Sequence, residues 1–183
     1  MPGCNCVEPA NEAGLDRRVV SMGATDQITF PAVNSCFAIG VVLADGSLLG
    51  GHVPMYWDTP SFSVGMSLTM VHGQDGEAHQ MQASLARIVN EINGLRNGRD
   101  VSAVVTLGDV EWVTYWDAML GHFGYPKEIR YRKNAGTCNL ILDGALQMAR
   151  VQRRLAAAAG YSTVGNAARN FSVAARPATR VDV

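Results

Sequence analysis

The chain has 183 residues, a net charge of −1 and only 17 % charged residues, a length sufficient for one domain with a real core. This balance gives no basic surface for nucleic acid and no polybasic cluster for a membrane surface, and no apolar run reaches the roughly 18 residues that span a bilayer. Met1-Pro2-Gly3-Cys4-Asn5-Cys6 lacks the basic start and apolar stretch of a secretory signal, and four cysteines make no disulfide framework at this length. The expected compartment is the cytoplasm, or a target reached by an effector exported without a cleavable signal peptide.

Residues 1–24 mix Gly, Pro, Asn and Glu without periodicity and read as a flexible leader, with Cys4 and Cys6 inside it. Asp26 to Phe30 reads as a short strand stopped by Pro31. Cys36–Ala44 and Ser47–Val53 are apolar runs joined by Asp45-Gly46, a strong hairpin signal. Pro54 and Pro60 mark a loop from Val53 to Ser61. Period-two apolar residues (Phe62, Val64, Met66, Leu68, Met70) then predict a strand over Ser61–His72.

Ala78, Met81, Leu85, Ile88, Val89, Ile92 and Leu95 recur at three- and four-residue steps, so a helix is expected, capped by Gln74 or Asp75 and ended by Asn97-Gly98. Val101–Leu107 is β-branched and strand-like. Asp109 is the expected N-cap of a second helix that buries Val113, Trp116, Leu120 and Phe123, with Gly124 and Pro126 closing it. Strands follow at Glu128–Arg132 and Thr137–Leu142, then an amphipathic helix from about Ala145 to Ala158. Residues 161–183 carry no sustained apolar face and read as a flexible tail. The expectation is a single domain over 25–160 of the α/β (α+β) class, in which a mixed, mostly antiparallel sheet layer packs against two helices.

The hairpin carries the chemistry. Folding the second run back along the first brings Cys36, at the head of one strand, beside His52, at the end of the other. A thiolate is a far better nucleophile than a thiol, and a neighbouring imidazole can take its proton. The oxyanion of a tetrahedral intermediate needs donors, which the main-chain N–H groups of Asn34, Ser35 and Cys36 can supply. Gly50 and Gly51 keep side chains off the path to His52, and Tyr56, Trp57, Asp58 and Ser61 follow as a candidate cleft rim. These groups suit acyl transfer from an amide to Cys36, with Cys36 as nucleophile and His52 as general base and then acid.

Asn34-Ser35-Cys36 opening an apolar strand, followed after a turn by Gly50-Gly51-His52-Val53-Pro54-Met55, resembles the core of the CheD family of chemoreceptor glutamine deamidases. The same Cys–His pair and fold occur in deamidase toxins of the cytotoxic necrotizing factor type. The resemblance spans about residues 26–144 and is specific around Cys36 and His52. It implies a protein-glutamine glutaminase that forms a thioester on Cys36 and acts on a surface glutamine of a protein partner, with no metal and no organic cofactor. The family has Gly where this chain has Asn34. It places a third catalytic residue, a Thr, six positions before the Cys; Phe30 stands there and Thr29 one further back. Thr29 or a main-chain oxygen would then orient the imidazole.

Plainer readings stand beside these. Cys is among the most buried residue types, so Cys36 also suits packing, as Cys138 does in its strand. A protein-binding module without turnover, a cysteine peptidase and a transglutaminase-like enzyme all fit the same pair. His72, Asp75, Glu77 and His79 lack metal-site spacing and read as a solvated loop and helix start. Trp112, Tyr115 and Trp116 read as packing, and Arg150, Arg153 and Arg154 as a solvated helix face. Oligomeric state and substrate identity are not encoded in any motif.

Overall fold

The structure, a computed structural model, describes residues 4–6, 19–54, 74–154, 161–163 and 167–183. The predicted strand over Ser61–His72 and the loop bearing Tyr56, Trp57, Asp58 and Ser61 lie outside the described residues.

The class is the mixed α+β expected, but with two sheets rather than one. An inner sheet has the order β12 (Thr179–Asp182), β7 (Lys127–Arg132), β6 (Val101–Gly108), β4 (Phe37–Leu43), β5 (Leu48–Val53), β2 (Val19–Met22). Its β4, β5, β6 and β2 pair antiparallel, while β7 runs parallel to both β6 and β12. An outer sheet runs β1 (Cys4–Cys6), β3 (Gln27–Val33), β8 (Cys138–Asp143), β9 (Met148–Arg154), β10 (Tyr161–Thr163), with β11 (Arg169–Asn170) also on β9. Helices α1 (Gln74–Arg96) and α2 (Trp112–Met119) cover the other face of the inner sheet.

The layers follow from side-chain alternation. Every residue of β4 is buried, because the strand is central and covered on both faces, which is why its sequence is a continuous apolar run. Ile39, Val41 and Leu43 meet the helices; Ala38 and Val42 meet the outer sheet. A Cβ on Gly40 would collide with Leu142 of β8, so this position keeps the two sheets in contact. Met81, Leu85, Ile88, Val89 and Ile92 form the buried stripe of α1 as predicted, whereas Leu95 is 41 % exposed. The Asp45-Gly46 turn holds as read. Gly46 takes φ +82, and Asp45 accepts the Ser47 side-chain and main-chain donors, which keep its carboxyl below the usual range.

Four expectations are corrected. Within the helix expected over Ala145–Ala158, residues 155–158 lie outside the described residues, and Met148–Arg154 is instead β9, antiparallel to β8. Its helix-forming residues give way to sheet pairing that buries Ala149 and Val151 between the sheets. The tail is ordered where described: β12 extends the inner sheet beside β7, and Ala167, Phe171, Ala174, Val181 and Val183 join the inter-sheet core. The leader likewise supplies β1 beside β3 and β2 beside β5. Finally, β3 does not stop at Pro31 but continues through a bulge to Val33, with Ala32 at φ +51 and its N–H donated to Asn139 Oδ1 at 2.8 Å. A bulge is one of the few strand positions that tolerate proline.

Candidate functional site

The β4–β5 register sets the geometry. Ala38 lies opposite His52, and Phe37 opposite Val53. Paired residues share a face, and Ala38 faces the outer sheet. His52 therefore does too, with its ring edge-on to Phe30 at 6.4 Å between centroids. Cys36 lies in the bend directly before β4, two residues before Ala38, the residue paired with His52. Cys36 is half-buried, Asn34 and Ser35 are exposed, and His52 is fully buried. Cys36 is thus a part-exposed thiol in the turn before β4, and His52 a buried imidazole on β5.

The turn before Cys36 is tied down from the helix side. The Trp112 indole Nε1–H donates to the Ser35 main-chain oxygen at 3.0 Å. Phe37 stacks on Trp112 at 5.5 Å and also packs on Trp116 at 5.5 Å. Trp116 in turn donates to the buried Glu128 at 2.6 Å. The tryptophans were read correctly as packing residues, but their polar atoms were missed. A buried indole N–H needs an acceptor, so a tryptophan pair one helical turn apart signals two anchoring bonds.

Other site residues separate from the pair. Thr29 sits one place from Phe30 on β3, and alternation aims it to the opposite face from the ring that meets His52. Phe30, six places before Cys36, is the residue of β3 that packs on the imidazole. Gly51 does not open a path to His52: a Cβ there would press on Ile88 and Ile92, so the position seats α1. Gly50 faces the other way, where a Cβ would stand 3.0 Å from Phe30 and 3.1 Å from Ile28. Gly51→Ala is therefore expected to lower stability by about 1–3 kcal/mol through overpacking, read as a shifted urea midpoint, while Cys36 keeps its alkylation rate. Tyr56 and Trp57 lie outside the described residues.

Asp109 does not cap α2. The helix begins after Glu111 without a side-chain cap, and Asp109 pairs with the buried Lys133 at 2.8 Å. On that helix Trp112, Trp116 and Met119 are the buried residues, while Val113 is only half-buried. Cys138 is core as expected, and burial pushes its thiol up, against the smaller opposing pull of Lys133 and Arg153. The arginines expected on a helix face lie on β9, where Arg150 pairs with Asp143 at 3.3 Å. Among the described residues no three His, Cys, Asp or Glu side chains converge as a metal site, and no helix is long and apolar enough to cross a membrane. An open cleft lined by Leu43, Ser102, Lys127, Gln147 and Phe171 lies at the far end of β4 from Cys36 and does not belong to this site.

No family model matches the chain, and a search of curated proteins finds no match either.

Proposed function

We propose that the protein is a cysteine-dependent deamidase, a protein-glutamine glutaminase of the CheD and necrotizing-factor kind, acting on a glutamine side chain displayed by a protein partner. The observation that carries this reading is the β4–β5 register, with Ala38 opposite His52 and the half-buried Cys36 two residues before it. In the first step His52 takes the thiol proton as the sulfur bonds to the amide carbon. The tetrahedral intermediate collapses, the carbon–nitrogen bond breaks, and the proton held by His52 leaves with ammonia. Water then attacks the thioester, giving up its proton to His52; the carbon–sulfur bond breaks, the departing Cys36 thiolate takes that proton back, and a glutamate is left. No step calls for a metal or an organic cofactor. Asn34 and Ser35, both exposed, border the route by which a side chain would reach the sulfur.

The test is peptide-level mass spectrometry of candidate partner proteins incubated with the wild type or with Cys36→Ser. A glutamine converted to glutamate only by the wild type is the expected result. New chain cuts would make the enzyme a peptidase, and glutamines joined to amines a transglutaminase. No change in any partner, together with equally slow iodoacetamide labelling of Cys36 and Cys138, would leave a binding module.

A further inference from the structure

We infer that Trp112 is a positioning residue for this chemistry: its indole N–H fixes the Ser35–Cys36 peptide plane and so aims the Cys36 main-chain N–H at the developing oxyanion. The inference rests on the deamidase reading. A trans peptide is planar, and its C=O and N–H point in opposite directions. The Ser35–Cys36 bond is trans, and the Ser35 oxygen is drawn towards Trp112 at 3.0 Å, on the helix side of the inner sheet. The Cys36 N–H must then point to the other side, the side of His52 and the outer sheet. The donor and the nucleophilic sulfur of one residue thereby face the same space, as an oxyanion site requires.

The anchor is stiff for reasons visible in the packing. Trp112 is 1 % exposed and is stacked on Phe37, the residue after the nucleophile. A Cβ on Gly108 would collide with Phe37, so the end of β6 closes the same space. One turn along α2, Trp116 is held by Glu128 at 2.6 Å. The bond from Trp112 to Ser35 thus ends on an element that cannot swing. Without it the peptide plane at Ser35, in an exposed bend, is free to rotate and the donor loses its aim.

The experiment compares two reactions at one sulfur. p-Nitrophenyl acetate acylates Cys36 through a tetrahedral oxyanion, releasing p-nitrophenolate and leaving an acetyl thioester. Iodoacetamide alkylates the same sulfur by displacement of iodide, with no oxyanion. Trp112→Phe keeps an aromatic ring against Phe37 and removes the donor. Its acylation rate at Cys36, assigned by peptide mapping, is expected to fall about tenfold to a hundredfold, short of the 10²–10³ that outright loss of an oxyanion donor costs. Its alkylation rate should stay within about twofold, because displacement needs no such donor. Should Trp112→Phe fail to fold, the benzothienyl analogue of tryptophan, with sulfur in place of the N–H, gives the same comparison in an unchanged shape. Equal acylation by variant and wild type, or a parallel fall in both reactions, overturns the positioning role and leaves the deamidase reading standing. A wild type that acylates no faster than Cys36→Ser overturns both.

Discussion

On the proposed deamidase reading, replacing His52 with alanine is expected to slow glutamine deamidation by about 10²–10⁴-fold, the range that a positioned general base and acid contributes. The size of the effect follows from the two proton transfers assigned to one imidazole. In the proposed mechanism it takes the proton from sulfur at attack and returns it to the departing nitrogen, and at the thioester stage it takes a proton from water. On the face of β4 towards His52 the strand carries Ala38, opposite His52, and Gly40, neither of which has a basic group. The loss should appear in kcat rather than in KM, since a fully buried ring behind the sulfur makes little contact with a substrate surface. Alanine also removes a ring packed against Phe30, so part of any loss could come from loosened structure. His52→Gln, which keeps more of the volume, separates the two causes: it should restore the unfolding temperature but not the rate. A His52→Ala enzyme with near wild-type kcat would remove the imidazole from the mechanism.

The elements legible in the sequence were those whose signal is local. Asp45-Gly46 specifies its own turn, and the apolar runs on either side can pair only as a hairpin, so the β4–β5 pairing that sets Ala38 opposite His52 could be read from spacing. The stripe of α1 was equally local. What failed depended on distant partners. Residues 145–158 are rich in Ala, Leu, Met and Arg, all good helix formers. For Met148–Arg154 the outcome follows from pairing with β8, after a close approach of Gly144 to the Ala24 main chain that a Cβ would block. The tail looked structureless because β12 is four residues long and gains its burial from β7. Within the site, the offset of six that the resemblance carries falls on Phe30, and Thr29 is its neighbour on β3. One position along β3 changes the face, and the face towards His52 belongs to Phe30. The bond from Trp112 to Ser35 spans 77 positions and leaves no periodic trace in the sequence.

Glu128→Ala is expected to cost about 3–5 kcal/mol of stability, the usual penalty for removing one partner of a buried ion pair. For a chain of this length that lowers the melting temperature by roughly 10 °C or more. Glu128 is 2 % exposed and Arg130 is 6 % exposed, both on the helix face of β7. One carboxylate oxygen of Glu128 accepts Trp116 Nε1 at 2.6 Å, Thr106 Oγ1 at 3.1 Å and Arg130 Nε at 3.0 Å; the other accepts a terminal Arg130 nitrogen at 2.7 Å. Burial alone would ease the proton off Arg130, but the contacts with Glu128 and Asp117 outweigh it and hold the guanidinium above its ordinary range. Removing the carboxylate leaves a buried cation whose remaining carboxylate contact, Asp117, is itself exposed on α2. It also orphans the Trp116 and Thr106 donors, each costly in a dry site. The double variant Glu128→Ala/Arg130→Ala should then be less damaged than the sum of the single variants, because the second change removes the stranded charge. The network also reaches the turn before Cys36, since Trp116 packs on Phe37 and Phe37 stacks on Trp112, which holds the Ser35 oxygen. Hydrogen exchange in Glu128→Ala should accordingly rise first in α2 and at residues 35–37, before the β4–β5 pairing opens. Uniform loss of protection across the inner sheet would mean instead that Glu128 stabilises the fold without steadying the turn before Cys36.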